Sequence, residues 1–126
     1  MIRTQYGTLR ETWEIPTGTY FRREWPVVDP TNVSNELSIA GWTAKCQIRE
    51  RPDITAPVLF EWSTSPGTGE GVITLVTGLL AVEVIPDDTA DWTFRRAWYD
   101  VVLTDPDAHP TRLVEGRAQP VYGVTY

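Results

Sequence analysis

Apolar and polar residues alternate along most of this chain, and the alternation is sharpest over residues 41–50. Trp42, Ala44, Cys46 and Ile48 fall on one side; Thr43, Lys45, Gln47 and Arg49 fall on the other. Successive side chains of a β-strand point to opposite faces, so the stretch predicts a strand with one buried and one wet face. A second strong strand is predicted over 96–104, with Ala97, Tyr99, Val101 and Leu103 inward and Arg96, Trp98, Asp100 and Val102 outward. Weaker alternation predicts strands over 9–15, 19–25, 58–62, 72–76, 79–85, 111–118 and, as a last short edge, 121–126. Glu11 interrupts the apolar side of 9–15, which marks that segment as an edge strand.

Turn chemistry divides these strands. Pro16-Thr17-Gly18 predicts a hairpin between 9–15 and 19–25, Thr77-Gly78 one between 72–76 and 79–85, and Asp105-Pro106-Asp107-Ala108-His109-Pro110 a third after 104. Residues 26–37 form a long polar stretch expected to be a loop, with Leu37 and Ile39 anchoring its far end. Residues 63–71, rich in Gly, Ser and Thr, are expected to be a mobile tip. Only Pro86-Asp87-Asp88-Thr89-Ala90-Asp91-Trp92 suits a helical turn, with Asp87 or Asp88 as cap and Trp92 folding back onto the sheet. Seven or eight short strands without crossover helices predict an all-β fold, a single immunoglobulin-like sandwich of antiparallel strands. Residues 1–8 lack periodicity and are expected to be an extended arm before a sandwich domain over 9–126.

Composition narrows the functional classes. A chain of 126 residues with 41% hydrophobic content can bury a core without disulfide or metal. Its net charge of −6 disfavours nucleic acid and anionic membranes as partners. The longest purely apolar run, Leu79-Leu80-Ala81-Val82, is too short to span a bilayer, and 1–5 has no signal-peptide core, so a soluble protein made in a cytoplasm is expected. Cys46 is the single cysteine; in buried register it behaves as a small hydrophobe.

No catalytic, cofactor or metal constellation emerges. Gly67-Thr68-Gly69-Glu70-Gly71 precedes a strand, whereas a phosphate loop needs a helix behind it. Asp87, Asp88 and Asp91 lack the spacing of a calcium loop and suit capping better. His109, the single histidine, lies in a turn with Asp105 and Asp107, and no Gly-x-Ser-x-Gly elbow accompanies it. Among six tryptophans, Trp13, Trp42 and Trp62 fall in buried register, while Trp98 is out of register with Ala97, Tyr99 and Val101. Trp98 with Arg95 and Arg96 therefore makes one candidate interface, because Trp and Arg are enriched at contact hot spots. Ile2 and Tyr6 of the arm make another: an extended arm gains main-chain hydrogen bonds on a neighbour's sheet edge.

The order of elements brings a resemblance. The matching stretches are Leu37-Ser38-Ile39-Ala40-Gly41-Trp42-Thr43-Ala44-Lys45-Cys46-Gln47-Ile48-Arg49, Gly71-Val72-Ile73-Thr74-Leu75, Thr89-Ala90-Asp91-Trp92, Trp98-Tyr99-Asp100-Val101-Val102-Leu103-Thr104-Asp105, Arg112-Leu113-Val114-Glu115-Gly116 and Val121-Tyr122-Gly123-Val124-Thr125. Through them the chain resembles a family of small β-sandwich virion proteins of long-tailed bacteriophages, which includes the collar-ring protein at the tail end. The resemblance implies a non-enzymatic virion protein that assembles with itself and with other phage virion proteins, as a ring or connector on the tail or baseplate. It implies no cofactor. Capsid decoration is the alternative placement. A carbohydrate-binding module using exposed Trp and Tyr is the alternative from another class, and a small hydrolase ranks third.

Overall fold

The computed structural model describes residues 9–29, 32–36 and 40–122, with strand assignment alone for 28–29 and 32–36. Its elements are β1 (Leu9–Arg10), β2 (Trp13–Pro16), β3 (Phe21–Pro26), β4 (Val28–Asp29), β5 (Asn32–Glu36), β6 (Thr43–Arg49), β7 (Val58–Ser63), β8 (Gly71–Val76), β9 (Leu79–Val84), α1 (Pro86–Thr89), β10 (Ala97–Thr104) and β11 (Pro110–Val121). The expected arm, with Ile2 and Tyr6, lies outside the described residues, as do Leu37, Ile39 and 123–126.

Among the described residues the fold is all-β with one short helix, as the alternation predicts. Nine strands pair along the path β1-β11-β10-β6-β7-β8-β9-β3, with β2 also on β11. The path curls at β7–β8, a parallel pairing of only two residue pairs, Trp62 with Gly71 and Ser63 with Val72. Beyond that corner β8, β9 and β3 form a second layer facing β7, β6, β10, β11 and β2. Taking β3 as the second strand, β8, β9 and β3 against β6, β10 and β11 group as the D, E, B and C, F, G strands of immunoglobulin-like sandwiches do, whereas β2, in first-strand position, joins the layer of β11. The pairing is mixed rather than wholly antiparallel, since β1 and β2 also run parallel to β11.

Two local expectations are corrected. The segment 9–15 is two strands, and it does not hairpin with β3. Thr17 explains why: its amide and hydroxyl both donate to the Val121 carbonyl, at 3.0 and 3.2 Å, and Gly18 N donates to Thr89 Oγ1 at 2.9 Å. The turn thus carries the chain from one layer to the other. The polar stretch 26–37 contains the small β4–β5 hairpin. Residues 110–121 are one strand, and of the last edge expected over 121–126 all but Val121 and Tyr122 lies outside the described residues.

The inward alternation holds. Trp13, Ile15, Ala44, Cys46, Ile48, Trp62, Tyr99, Val101 and Leu103 join one buried core with Trp25, Leu80, Val82 and Val84 of the second layer. A fully buried Ile, Val or Leu contributes about 1.5–3 kcal/mol. Trp13 sits at the centre, its ring within 6.2 Å of Phe21, 5.9 Å of Trp25, 5.5 Å of Trp62 and 5.3 Å of Tyr99. Trp92 folds back as expected, against Phe60 and Trp62. Trp42 is only half-buried, because it precedes β6 and is not held by the ladder. Burial, with the nearby Asp100 and Glu61 charges, pushes the Cys46 thiol up and keeps it neutral.

Glu11, out of place on an apolar side, joins the two layers. Its carboxylate accepts from Arg23 and, at 2.7 Å, from the indole Nε1 of buried Trp25. Its carbonyl accepts from the Tyr99 hydroxyl at 3.0 Å, and its amide donates to Glu115 O at 3.1 Å. Gly116 permits this approach: a Cβ there would meet Glu11 O at 1.9 Å.

Candidate functional site

The outward residues of β6, β10 and β11 make an ordered charge pattern. Cross-strand register places Arg49, Trp98 and Arg117 in one row. Glu61, Gln47, Asp100, Glu115 and Arg10 form the next. Lys45, Val102 and Arg112 form a third. An acidic row thus runs between two basic ones, and directly opposed or diagonal partners on a sheet are close enough to pair.

They do pair. Arg112 Nε lies 3.2 Å from Asp100 Oδ2 and its Nη1 3.4 Å from Glu115 Oε2; Arg10 Nε reaches Glu115 Oε1 at 3.3 Å. Gln47 Nε2 donates to Glu61 Oε1 at 2.6 Å, with Lys45 Nζ at 3.8 Å from Glu61. Arg49 donates to Gln47 Oε1 at 2.8 Å and to the carbonyls of Ala56 at 2.6 Å and Ile54 at 3.1 Å, which fastens the 51–56 loop beside the sheet. The loop and the sheet bound a groove of about 650 Å3, floored by Trp98, Asp100 and Val102 and rimmed by Arg10, Arg51 and Ile54. Ile54 stands at the rim with 86% of its surface exposed.

Trp98 therefore lies on the outer face, as its register requires, half-buried in the groove with the Arg117 guanidinium 5.3 Å from its ring centroid. Arg96 joins it at a smaller hollow of about 210 Å3 with Arg117 and Gln119. Arg95 is exposed and lines neither hollow. The groove's charged members Arg49, Asp100, Arg112 and Glu115 were not singled out from sequence. Their alternation was visible; the pairing of β6 with β10, which brings their rows together, spans about fifty residues and leaves no local sign.

Asp100 is the perturbed group of the groove floor. Burial raises its carboxyl above the usual range, against the opposing pull of Arg112 and Arg49. Desolvated carboxylates in clefts mark functional sites, although ion-pair networks produce the same perturbation. Arg112 and Arg49 surround Asp100 here, so it reads as the half-buried node of that ion-pair network, raised by its desolvation.

The turn carrying His109 behaves as a turn. Asp105 Oδ1 accepts from the amides of Asp107 and His109, both at 2.9 Å, and its Oδ2 faces His109 Nδ1 at 3.3 Å. Those amide bonds, that of His109 first, hold Asp105 below the usual carboxylate range. The ligand atoms of Asp105, Asp107 and His109 lie within 4.8 Å of one another, but Asp105 is already committed to closing the loop. Glu70 does the same at the glycine-rich tip, accepting from Gly67 N at 2.8 Å, and β8 follows directly.

No protein family model and no curated protein matches the chain.

Proposed function

We propose that this chain is a non-enzymatic structural protein of a bacteriophage virion, an assembly module that binds copies of itself and neighbouring virion proteins, with a ring or connector of the tail as its place. The observation that supports an assembly role is the grooved outer face of β6, β10 and β11. Trp98 and several arginines, residue types that concentrate binding energy at protein contacts, share a broad surface with exposed Ile54. The polar groups of that face are paired with one another into a fixed lattice, which suits a docking surface better than a reaction centre. The virion placement rests on the resemblance carried by the stretches of β6, β8, β10 and β11.

Locating labelled protein on the parent particle by electron microscopy tests the reading. Label at regular sites on tail or baseplate is expected; label at capsid faces moves the protein to decoration, and absence from particles overturns the reading. Trp98 beside Gln47 and Asp100 also favours one second reading, a glycan-binding face. A glycan array decides between the two: an assembly protein leaves it blank, and a Trp98-dependent signal overturns the assembly role.

A further inference from the structure

The outer face of β7, β6, β10, β11 and the β1–β2 edge, with its 51–54 rim, carries seven of the eleven basic residues: Arg10, Lys45, Arg49, Arg51, Arg96, Arg112 and Arg117. It carries five of the seventeen acidic ones: Glu14, Asp53, Glu61, Asp100 and Glu115. That face is therefore net +2, and since the chain is −6 the rest of the molecule is net −8. One copy offers what the face of another would attract.

The dimensions agree. Five strands about 4.8 Å apart, with about seven residues at 3.4 Å each, project to roughly 600 Å2. That extent, before side-chain relief and the loop rim are added, is most of the ~800 Å2 per partner of a standard interface.

We propose that the groove receives a second copy of this chain, entering by its acidic α1 turn. This rests on the assembly reading above and names the partner of that face. The turn suits the role. Asp87 and Asp91 are exposed beside exposed Ile85 and Pro86, and no basic residue occupies the last turn of α1. Ile85 supplies an apolar anchor for the Trp98 and Ile54 side of the groove; Asp87 and Asp91 meet Arg51, which stands 3.6 Å from Asp53 on the same rim, and Arg117, over Trp98 at the adjoining hollow. The other acidic corner, at Asp105, has its carboxylate engaged by its own loop. Groove and turn are different surfaces, so the contact is head-to-tail and propagates into a ring or a filament.

Sedimentation velocity of the full chain and its charge variants tests this. The wild type should associate with rising micromolar concentration. Arg51→Glu with Arg117→Glu, and separately Asp87→Arg with Asp91→Arg, should each weaken association at least tenfold while keeping the wild-type circular dichroism and melting temperature. An equimolar mixture of the two variants should associate again, because the reversed turn meets the reversed groove. A wild type that stays monomeric, a variant that assembles normally, or a mixture that stays apart overturns the proposal. A monomeric chain still found on the particle would overturn this self-contact alone, leaving the virion reading intact.

Discussion

The two outward faces of the sandwich are built from the same kind of strand and differ in almost everything else. The face of β6, β10 and β11 is laced with ion pairs and grooved. On the face of β8, β9 and β3, register sets Val72 beside Glu83 and Arg22, Thr74 beside Ala81 and Glu24, and Val76 beside Leu79 and Pro26. Its polar pairs are few, Arg22 with Glu24 at 2.8 Å and the Tyr20 hydroxyl to Glu83 at 3.3 Å. Its apolar residues include exposed Val72, Val76, Tyr20 and Ile85. By hydrophobicity alone this plainer face is the stickier one. Three strands, however, project to only about 350 Å2, well short of a standard interface. Extent, relief and charge pattern favour the grooved face, and hydrophobicity by itself misleads.

The largest expected effect tests whether both faces belong to one cooperative unit. Ile48 on β6 is fully buried beneath the grooved face and touches the core shared with β9 and β3. Ile48→Asp places an unpaired charge there and should cost more than about 4 kcal/mol, enough to unfold the protein. Thr43→Asp, at the exposed start of the same strand, should change stability by no more than about 0.5 kcal/mol. Chemical denaturation read by tryptophan fluorescence compares the two, and equal midpoints would reverse the register of β6.

Next is the join between the layers. Glu11→Ala leaves Trp25 Nε1 buried without its acceptor and removes the partner of Arg23. A buried donor left unsatisfied costs about 1–3 kcal/mol. Glu11→Gln keeps an acceptor oxygen and should lose less than Glu11→Ala. If the two variants melt together, the carboxylate is not what ties β2 to β3.

Glu11 also shows where sequence reasoning stops. The strand faces were legible, because alternation reports burial directly: the inward sets of β6 and β10 are buried as read. Trp98 was visible as an outward exception. Partnerships were not legible. That 9–15 would join β11 rather than β3 depends on Thr17 meeting Val121, over a hundred positions away, and on Gly116 giving Glu11 room. The groove has the same origin. Each row of charges takes one residue from each of three to five strands, and only the folded register makes them neighbours.

Asp100 sharpens the comparison from the grooved side. Its carboxyl is raised in the folded protein, so between the ordinary carboxylate range and that raised value the native state binds the extra proton. Stability from this group is thus greatest at low pH and falls as pH rises through the window. Asp100→Asn cannot ionise. Its melting temperature relative to wild type should be higher at pH 7 than at pH 3. A difference independent of pH, or of opposite sign, would mean that the Arg112 pairing outweighs burial.

The smallest effect is expected on the plainer face. Val72 and Val76 point outward from β8 with 44% and 45% of their surfaces exposed. Threonine is β-branched like valine and fits the same strand backbone, so Val72→Thr with Val76→Thr changes little but the polarity of that surface. In a monomer the pair should shift stability by no more than about 0.5 kcal/mol, because no core contact is lost. Self-association should also be unchanged, since the small area of this face leaves the contact to the groove. Sedimentation velocity and thermal melting of the double variant read both quantities. Loss of association at unchanged melting temperature would break the comparison: it would make the apolar face the interface between copies and return the charge lattice around Trp98 to a structural role.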